Sequence, residues 1–126
     1  MKENHKILIF VVAYEAQSTL EKVLDRVPEE VFQYDTEVLV IDDSSKDKTF
    51  EVGVRYSEGR KNYPITILHN EENQGYGGNQ KLGYSYAIKN NFDIVVLLHG
   101  DGQYAPECIP TLIAPLLNDT ADAVFG

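Results

Sequence analysis

Apolar positions along the chain follow two periods. Four runs are short and almost uninterrupted: residues 6–13 (KILIFVVA), 36–41 (TEVLVI), 64–69 (PITILH) and 94–98 (IVVLL). Their length and β-branched content predict strands buried on both faces, as in a parallel sheet. Between the runs the period becomes helical. Leu20, Val23, Leu24 and Val27 recur on one face, Ser18 and Glu21 form a capping-box pattern before them, and Pro28 stops the helix. Residues 29–33 read as a turn or a short helical piece. A second helix is predicted over about 47–57, weakened by Gly53 and closed by Gly59. Residues 70–78 read as a glycine-rich loop, and a third helix over about 78–90 puts Leu82, Tyr86 and Ala87 on one face. Pro106 opens a last helix with Ile109, Leu112, Ile113, Leu116 and Leu117 apolar, and Pro115 makes its second half irregular or kinked. Strand and helix alternate, and the connections are too long for hairpins. The pattern predicts an α/β fold, a mainly parallel sheet covered on both faces and wound by right-handed crossovers.

Composition narrows this picture. The 126 residues suffice for one domain or part of a larger one, and 43% hydrophobic residues can build a core. A net charge of -9 argues against a nucleic-acid partner held through its phosphates. An anionic ligand would need a metal ion or helix N-termini to offset that charge. The single cysteine, Cys108, excludes an internal disulfide and a thiolate cluster, fits a reducing compartment, and is expected on a helix face or in the core. No signal-peptide pattern follows Met1, and no apolar run approaches the roughly 18 residues that span a membrane. A cytoplasmic location is expected, at the cytoplasmic face of a membrane if the complete protein acts there. Residues 123–126 read as the inside of a strand, so residues 1–126 are expected to be a truncated portion of a single domain.

Parallel strands share one carboxyl edge, where open α/β sheets bind ligands. The four runs end there in Ala13-Tyr14-Glu15, Asp42-Asp43-Ser44-Ser45, the 73–78 loop and His99-Gly100-Asp101. Asp42 continues its strand and is expected to point into the crevice, where it can accept from a nucleobase imide or a ribose hydroxyl. Asp43 or Ser45 reads as the cap of the next helix. Three glycines, at 75, 77 and 78, allow exposed amides to approach a diphosphate. The loop is neither the dinucleotide fingerprint nor a P-loop. Asp101 is the metal candidate, because a carboxylate with oxygen donors nearby suits Mg²⁺ or Mn²⁺. His99 either ligates, which would favour Mn²⁺, or hydrogen-bonds a ribose or phosphate oxygen, or is structural. His69 has no partner visible in the sequence.

Taken together, these segments resemble the family 2 glycosyltransferases, especially those like dolichyl- or polyprenyl-phosphate hexose synthases. The resemblance rests on Ala13-Tyr14-Glu15, on Asp42-Asp43-Ser44-Ser45-Lys46-Asp47-Lys48-Thr49, on Asn73-Gln74-Gly75-Tyr76-Gly77-Gly78 with Gly83, and on Gly100-Asp101-Gly102-Gln103 with Pro106-Glu107. It implies a Rossmann-like three-layer α/β/α fold of the glycosyltransferase A type that binds a UDP- or GDP-sugar over the strand ends. Ala13, Tyr14 and Glu15 would frame base and ribose, and Asp42 would bond the nucleobase. Ser44, Gly75, Gly78, Lys81, His99 and Gly100 complete the implied donor contacts. Asp101, with Gln103 and possible ligation by His99, would hold Mg²⁺ or Mn²⁺ against the diphosphate. The implied reaction is inverting transfer of the sugar to an acceptor such as a polyprenyl phosphate, a glycan or another hydroxyl, with any general base beyond residue 126. The isolated fragment is expected to transfer little. Departures from the family pattern are Val12 for proline, Glu15 for asparagine, Tyr76 for lysine and His99 for aspartate. Two other readings are a nucleotide-sugar-binding module without transfer and a sugar-nucleotidyltransferase. The second is disfavoured because its glycine-rich basic loop should follow the first strand, where Tyr14-Glu15-Ala16-Gln17 stands.

Overall fold

The computed structural model describes residues 5–59, 63–102 and 106–117. Strands β1 (Lys6–Ala13), β2 (Asp35–Asp42), β3 (Ile65–His69) and β4 (Ile94–His99) form one sheet in the order β3-β2-β1-β4, and every neighbouring pair is parallel. Helices α1 (Leu20–Asp25), α2 (Thr49–Gly59), α3 (Gly75–Lys89) and α4 (Ile109–Leu117) connect and flank it, with 3-10 turns at Glu29–Gln33 and Pro106–Cys108.

Alternation along central β1 sorts the core into two layers. Ile7, Ile9, Val11 and Ala13 belong to one cluster with residues of α1, α2 and α4, while Leu8, Phe10 and Val12 share the other with Leu39, Ile41 and Ala87 of α3. Ile7 through Val11 are wholly buried, and burying each such side chain stabilises the fold by about 1.5–3 kcal/mol. The three-layer α/β/α reading therefore holds. On its side α3 packs against Phe10 because Gly83 has no side chain; a Cβ there would come within 2.1–2.4 Å of three ring atoms.

Three local expectations change. The Ser18–Glu21 capping box does not form: Thr19 precedes α1, and its hydroxyl donates instead to the Gly100 carbonyl at 2.7 Å. Tertiary bonding displaces the local cap. Helix α3 begins at Gly75, inside the expected loop, because Asp43 accepts the amide of the preceding Gln74 and Asn73 accepts that of Gly75. Its inward face is Asn79-Gly83-Ala87 rather than one containing Leu82, which is exposed. Ile109 and Ile113 are the buried residues of α4, Pro115 lies within that helix, and Cys108 is exposed. Among the described residues no helix is long and apolar enough to cross a membrane. The strand expected at residues 123–126 lies outside the described residues.

Candidate functional site

Parallel register sets the carboxyl ends of the strands side by side. Ala13 pairs with Asp42, Asp42 with His69, and Val12 with His99. A cavity of about 390 Å³ opens over this edge, between the end of β1, the first turn of α3 and the end of β4. Tyr14, Asp43, Tyr76, His99 and Asp101 supply much of its polar lining.

Asp42 does not line that cavity. Its carboxylate is fully buried: Ser45 Oγ and the Ser45 amide, at 3.3 Å, donate to Oδ1, and His69 Nδ1 lies 2.6 Å from Oδ2. The strand period explains this correction. Asp42 shares the parity of Val38 and Val40 and so faces the layer of α1 and α2. His69 was missed as a partner because parallel register, not sequence spacing, puts it opposite Asp42.

Asp43 takes the crevice position. Its nearly buried Oδ1 accepts from the Gln74 amide at 2.7 Å and Asn70 Nδ2 at 3.0 Å, and its carbonyl accepts from Asn73 Nδ2 at 3.1 Å. It therefore caps α3 across the crevice, not α2 as expected from sequence, and its charge suits a helix N-terminus. Asn73 Oδ1 accepts the Gly75 amide at 2.9 Å. Within the loop whose exposed amides were expected to approach a diphosphate, those of Gln74 and Gly75 are thus engaged by the protein. Buried Asn79 holds the helix down, donating to the Ile41 carbonyl at 3.2 Å and accepting from Asn70 at 3.1 Å. Flanked by Gly78, Gln80 and Lys81, it carried no local signal that set it apart.

On the other side, the β1–α1 and β2–α2 loops are stitched together. The Glu15 carboxylate accepts the amides of Lys46 and Asp47 at 3.4 and 3.2 Å, and the Glu15 amide donates to Ser45 Oγ at 2.8 Å. Glu15 and Ser44 adopt left-handed conformations, φ 50° and 60°, at this junction, and such strain persists only where surroundings enforce it. Glu15 thus braces a loop while Tyr14, half-exposed, turns to the cavity. Ser44 Oγ reaches the Glu71 carbonyl at 3.4 Å. Thr49, wholly buried, accepts the Ala16 amide at 2.8 Å and donates its hydroxyl to Asp47. Burial pushes the Asp47 carboxyl up, but hydrogen bonds from Thr49 and Gln17 outweigh it and hold the group below its ordinary range.

At the far wall, the Tyr76 hydroxyl lies 2.9 Å from His99 Nε2, with the two rings stacked at 5.1 Å and 23°. The two residues that depart from the family pattern here are in contact. Gly100 lets the end of β4 close on β1, since a Cβ would come within 3.3 Å of Ala13 Cβ and the Val12 carbonyl. Gly75, with φ +75°, lines the cavity; Gly78 lies within α3 and Lys81 is exposed on it, and neither lines the cavity. Gln103 lies outside the described residues. Asp101 is exposed at the mouth. Among the described residues no cluster of three or more His, Cys, Asp or Glu forms a metal cage. One accessible carboxylate beside an open cavity nonetheless fits Mg²⁺ or Mn²⁺, which are commonly held by one or two carboxylates plus substrate phosphates. Asp43 and Asp101 supply carboxylates to the lining, whereas the described lining residues include no lysine or arginine.

Residues 8–126 match the model of glycosyl transferase family 2. The chain belongs to that family. This family 2 chain is 28% identical over 130 residues to a UDP-N-acetylglucosamine–dolichyl-phosphate N-acetylglucosaminyltransferase of Methanococcus voltae, covering 95% of the chain and 51% of the relative. It is 32% identical over 109 residues to an undecaprenyl-phosphate mannosyltransferase of Micrococcus luteus, covering 86% of the chain and 40% of the relative. It therefore spans about half or less of the length of these relatives. Among solved structures, a Pyrobaculum calidifontis mannosyltransferase in complex with GDP-Man and Mn²⁺ superimposes with a TM-score of 0.69 at 20% identity, covering 94% of this chain and 32% of that one. A glucosyl-3-phosphoglycerate synthase from Mycobacterium tuberculosis, solved with Mn²⁺ and UDP, gives 0.68 at 21% identity over 90% of this chain and 40% of that one. These likenesses establish the fold as that of glycosyltransferases of the A type.

Proposed function

We propose that this chain is the donor-binding portion of an inverting, metal-assisted glycosyltransferase that takes a UDP- or GDP-sugar. The observation that carries the reading is the cavity at the strand ends, lined by two aspartates and, among the described residues, by no lysine or arginine. A diphosphate entering it meets like charge, so a divalent cation must accompany it. Asp101 would hold that cation, and Tyr14 and Ala13 would border the nucleoside. Bound there, Mg²⁺ or Mn²⁺ supplies Lewis-acid neutralisation of the departing nucleoside diphosphate. The chain's own residues fix the geometry: Asp43, Asn73 and Asn79 anchor α3, and Glu15 braces the loop behind Tyr14.

The acceptor we favour is a polyprenyl phosphate, by analogy with the dolichyl- and undecaprenyl-phosphate relatives. A phosphate is already ionised near neutral pH and attacks without a general base. A hydroxyl acceptor would need one from outside the residues assigned here. In this reading residues 1–126 belong to a single transferase domain acting at the cytoplasmic face of a membrane.

Calorimetric titration with UDP, GDP and their hexose conjugates, with Mn²⁺ and with chelator, tests the donor site. Affinity should depend on the metal and fall at least about tenfold in Asp101→Ala, a loss typical of removing a charged partner. Equal affinity in chelator would overturn the metal assignment. Release of nucleoside diphosphate with a polyprenyl phosphate acceptor distinguishes a transferase from a module that only binds nucleotide-sugar.

A further inference from the structure

The Tyr76–His99 contact bears on which cation the site takes, an inference that rests on the donor-site reading above. Tyr76 is the second residue of α3, whose start is tied to Asp43 through the Gln74 amide and to Asn73 through the Gly75 amide. One turn on, Asn79 is bonded to the Ile41 carbonyl. His99 is the last residue of β4, in register with Val12 of central β1. Both partners thus stand on anchored elements, and the contact between them is built into the fold.

Nε2 is the ring nitrogen farthest from the backbone, the one best able to reach a ligand in the cavity. That nitrogen is 2.9 Å from the Tyr76 hydroxyl, and the phenol ring also covers a face of the imidazole. A phenol can donate or accept, so it satisfies Nε2 in either neutral tautomer. An imidazole nitrogen would bias a site toward Mn²⁺ over Mg²⁺, while carboxylate and phosphate oxygens serve both.

We propose that Tyr76 withholds His99 Nε2 from the cation, so that the metal at Asp101 is held by oxygen donors and the site does not gain the Mn²⁺ preference an imidazole would confer. Tyr76 is then a positioning residue for metal selectivity. Removing its hydroxyl takes from Nε2 one hydrogen bond of ordinary net strength, which corresponds to roughly a three- to tenfold change in an equilibrium constant.

The test measures Mn²⁺ and Mg²⁺ affinity by calorimetry in the presence of saturating UDP or GDP, for the wild-type protein, Tyr76→Phe, His99→Ala and the double variant. Pulsed EPR on Mn²⁺ with ¹⁵N-histidine labelling reads nitrogen coordination directly. Expected are no histidine coupling in the wild type, and in Tyr76→Phe a coupling together with a three- to tenfold rise in the Mn²⁺ over Mg²⁺ ratio. The double variant should lose both, since the gain acts through His99. Histidine coupling in the wild type, or weaker Mn²⁺ binding in Tyr76→Phe, would mean the phenol orients a ligand instead and overturns the proposal alone. Nucleotide binding indifferent to Mn²⁺ in every variant overturns the donor-site reading, and this proposal with it.

Discussion

Replacing Gly83 by alanine should destabilise the fold even though alanine is the better helix former. In the helix interior the exchange gains about 1 kcal/mol of propensity. Against this, the new Cβ would overlap Cε2, Cζ and Cδ2 of Phe10, a wholly buried ring on central β1. That ring has little room to turn: the Tyr84 ring meets it edge-on at 6.3 Å and 74°. Leu8, Val12, Leu39 and Ile41 belong to the same cluster. Relief requires α3 to lift off the sheet, and overpacking of this kind costs about 1–3 kcal/mol or more. Because the overlap involves three ring atoms, the upper part of that range applies and the net loss is about 2 kcal/mol. With m near 2 kcal/mol/M, the urea midpoint followed by circular dichroism should fall by about 1 M at unchanged m. Gly77→Ala is the control, since its Cβ meets nothing within 4 Å; it should leave the midpoint unchanged or raise it slightly. A Gly83→Ala midpoint equal to wild type would refute the packing argument. Because α3 also carries Tyr76 and Asn79, nucleotide affinity should weaken along with stability.

Two further outcomes are expected from the stitched loops. Thr49→Val keeps the shape but leaves the Ala16 amide without its acceptor beside a buried residue, a cost of about 1–3 kcal/mol in the urea midpoint; a change under about 0.5 kcal/mol would count against this role. Asp47 has a lowered pKa in the folded protein, so its contribution is present above the ordinary aspartate value of about 3.9 and is lost as pH falls through the folded value. Asp47→Asn should therefore flatten the acid limb of stability against pH, and parallel limbs for the two proteins would contradict the assignment.

Much of the architecture was legible in the chain. The four apolar runs became the four strands, and the helical periods between them became the helices that flank the sheet. The helix starts were not legible. Ser18 and Glu21 satisfied a local capping rule, yet Thr19 bonded to Gly100 across the fold, and α3 began at Gly75 because the Asp43 carboxylate, just past β2, accepts the amide of the preceding Gln74. Local signals compete with partners that only folding brings near.

The same division separates the two aspartates. The order of residues by itself determined that a strand would end in Asp42-Asp43 at the sheet edge that binds ligands, because strand period and polarity are local properties. Only the tertiary structure decided their roles. Pairing with β3 set His69 against Asp42 and buried it, while the approach of α3 gave Asp43 its amide partners at the cavity wall. Likewise, sequence marked His99 as a departure from the family pattern, and only the packing of α3 on β1 and β2, next to β4, put the Tyr76 hydroxyl on its Nε2. Contacts between residues tens of positions apart depend on register and on which face of the sheet each helix covers, and no local period encodes them.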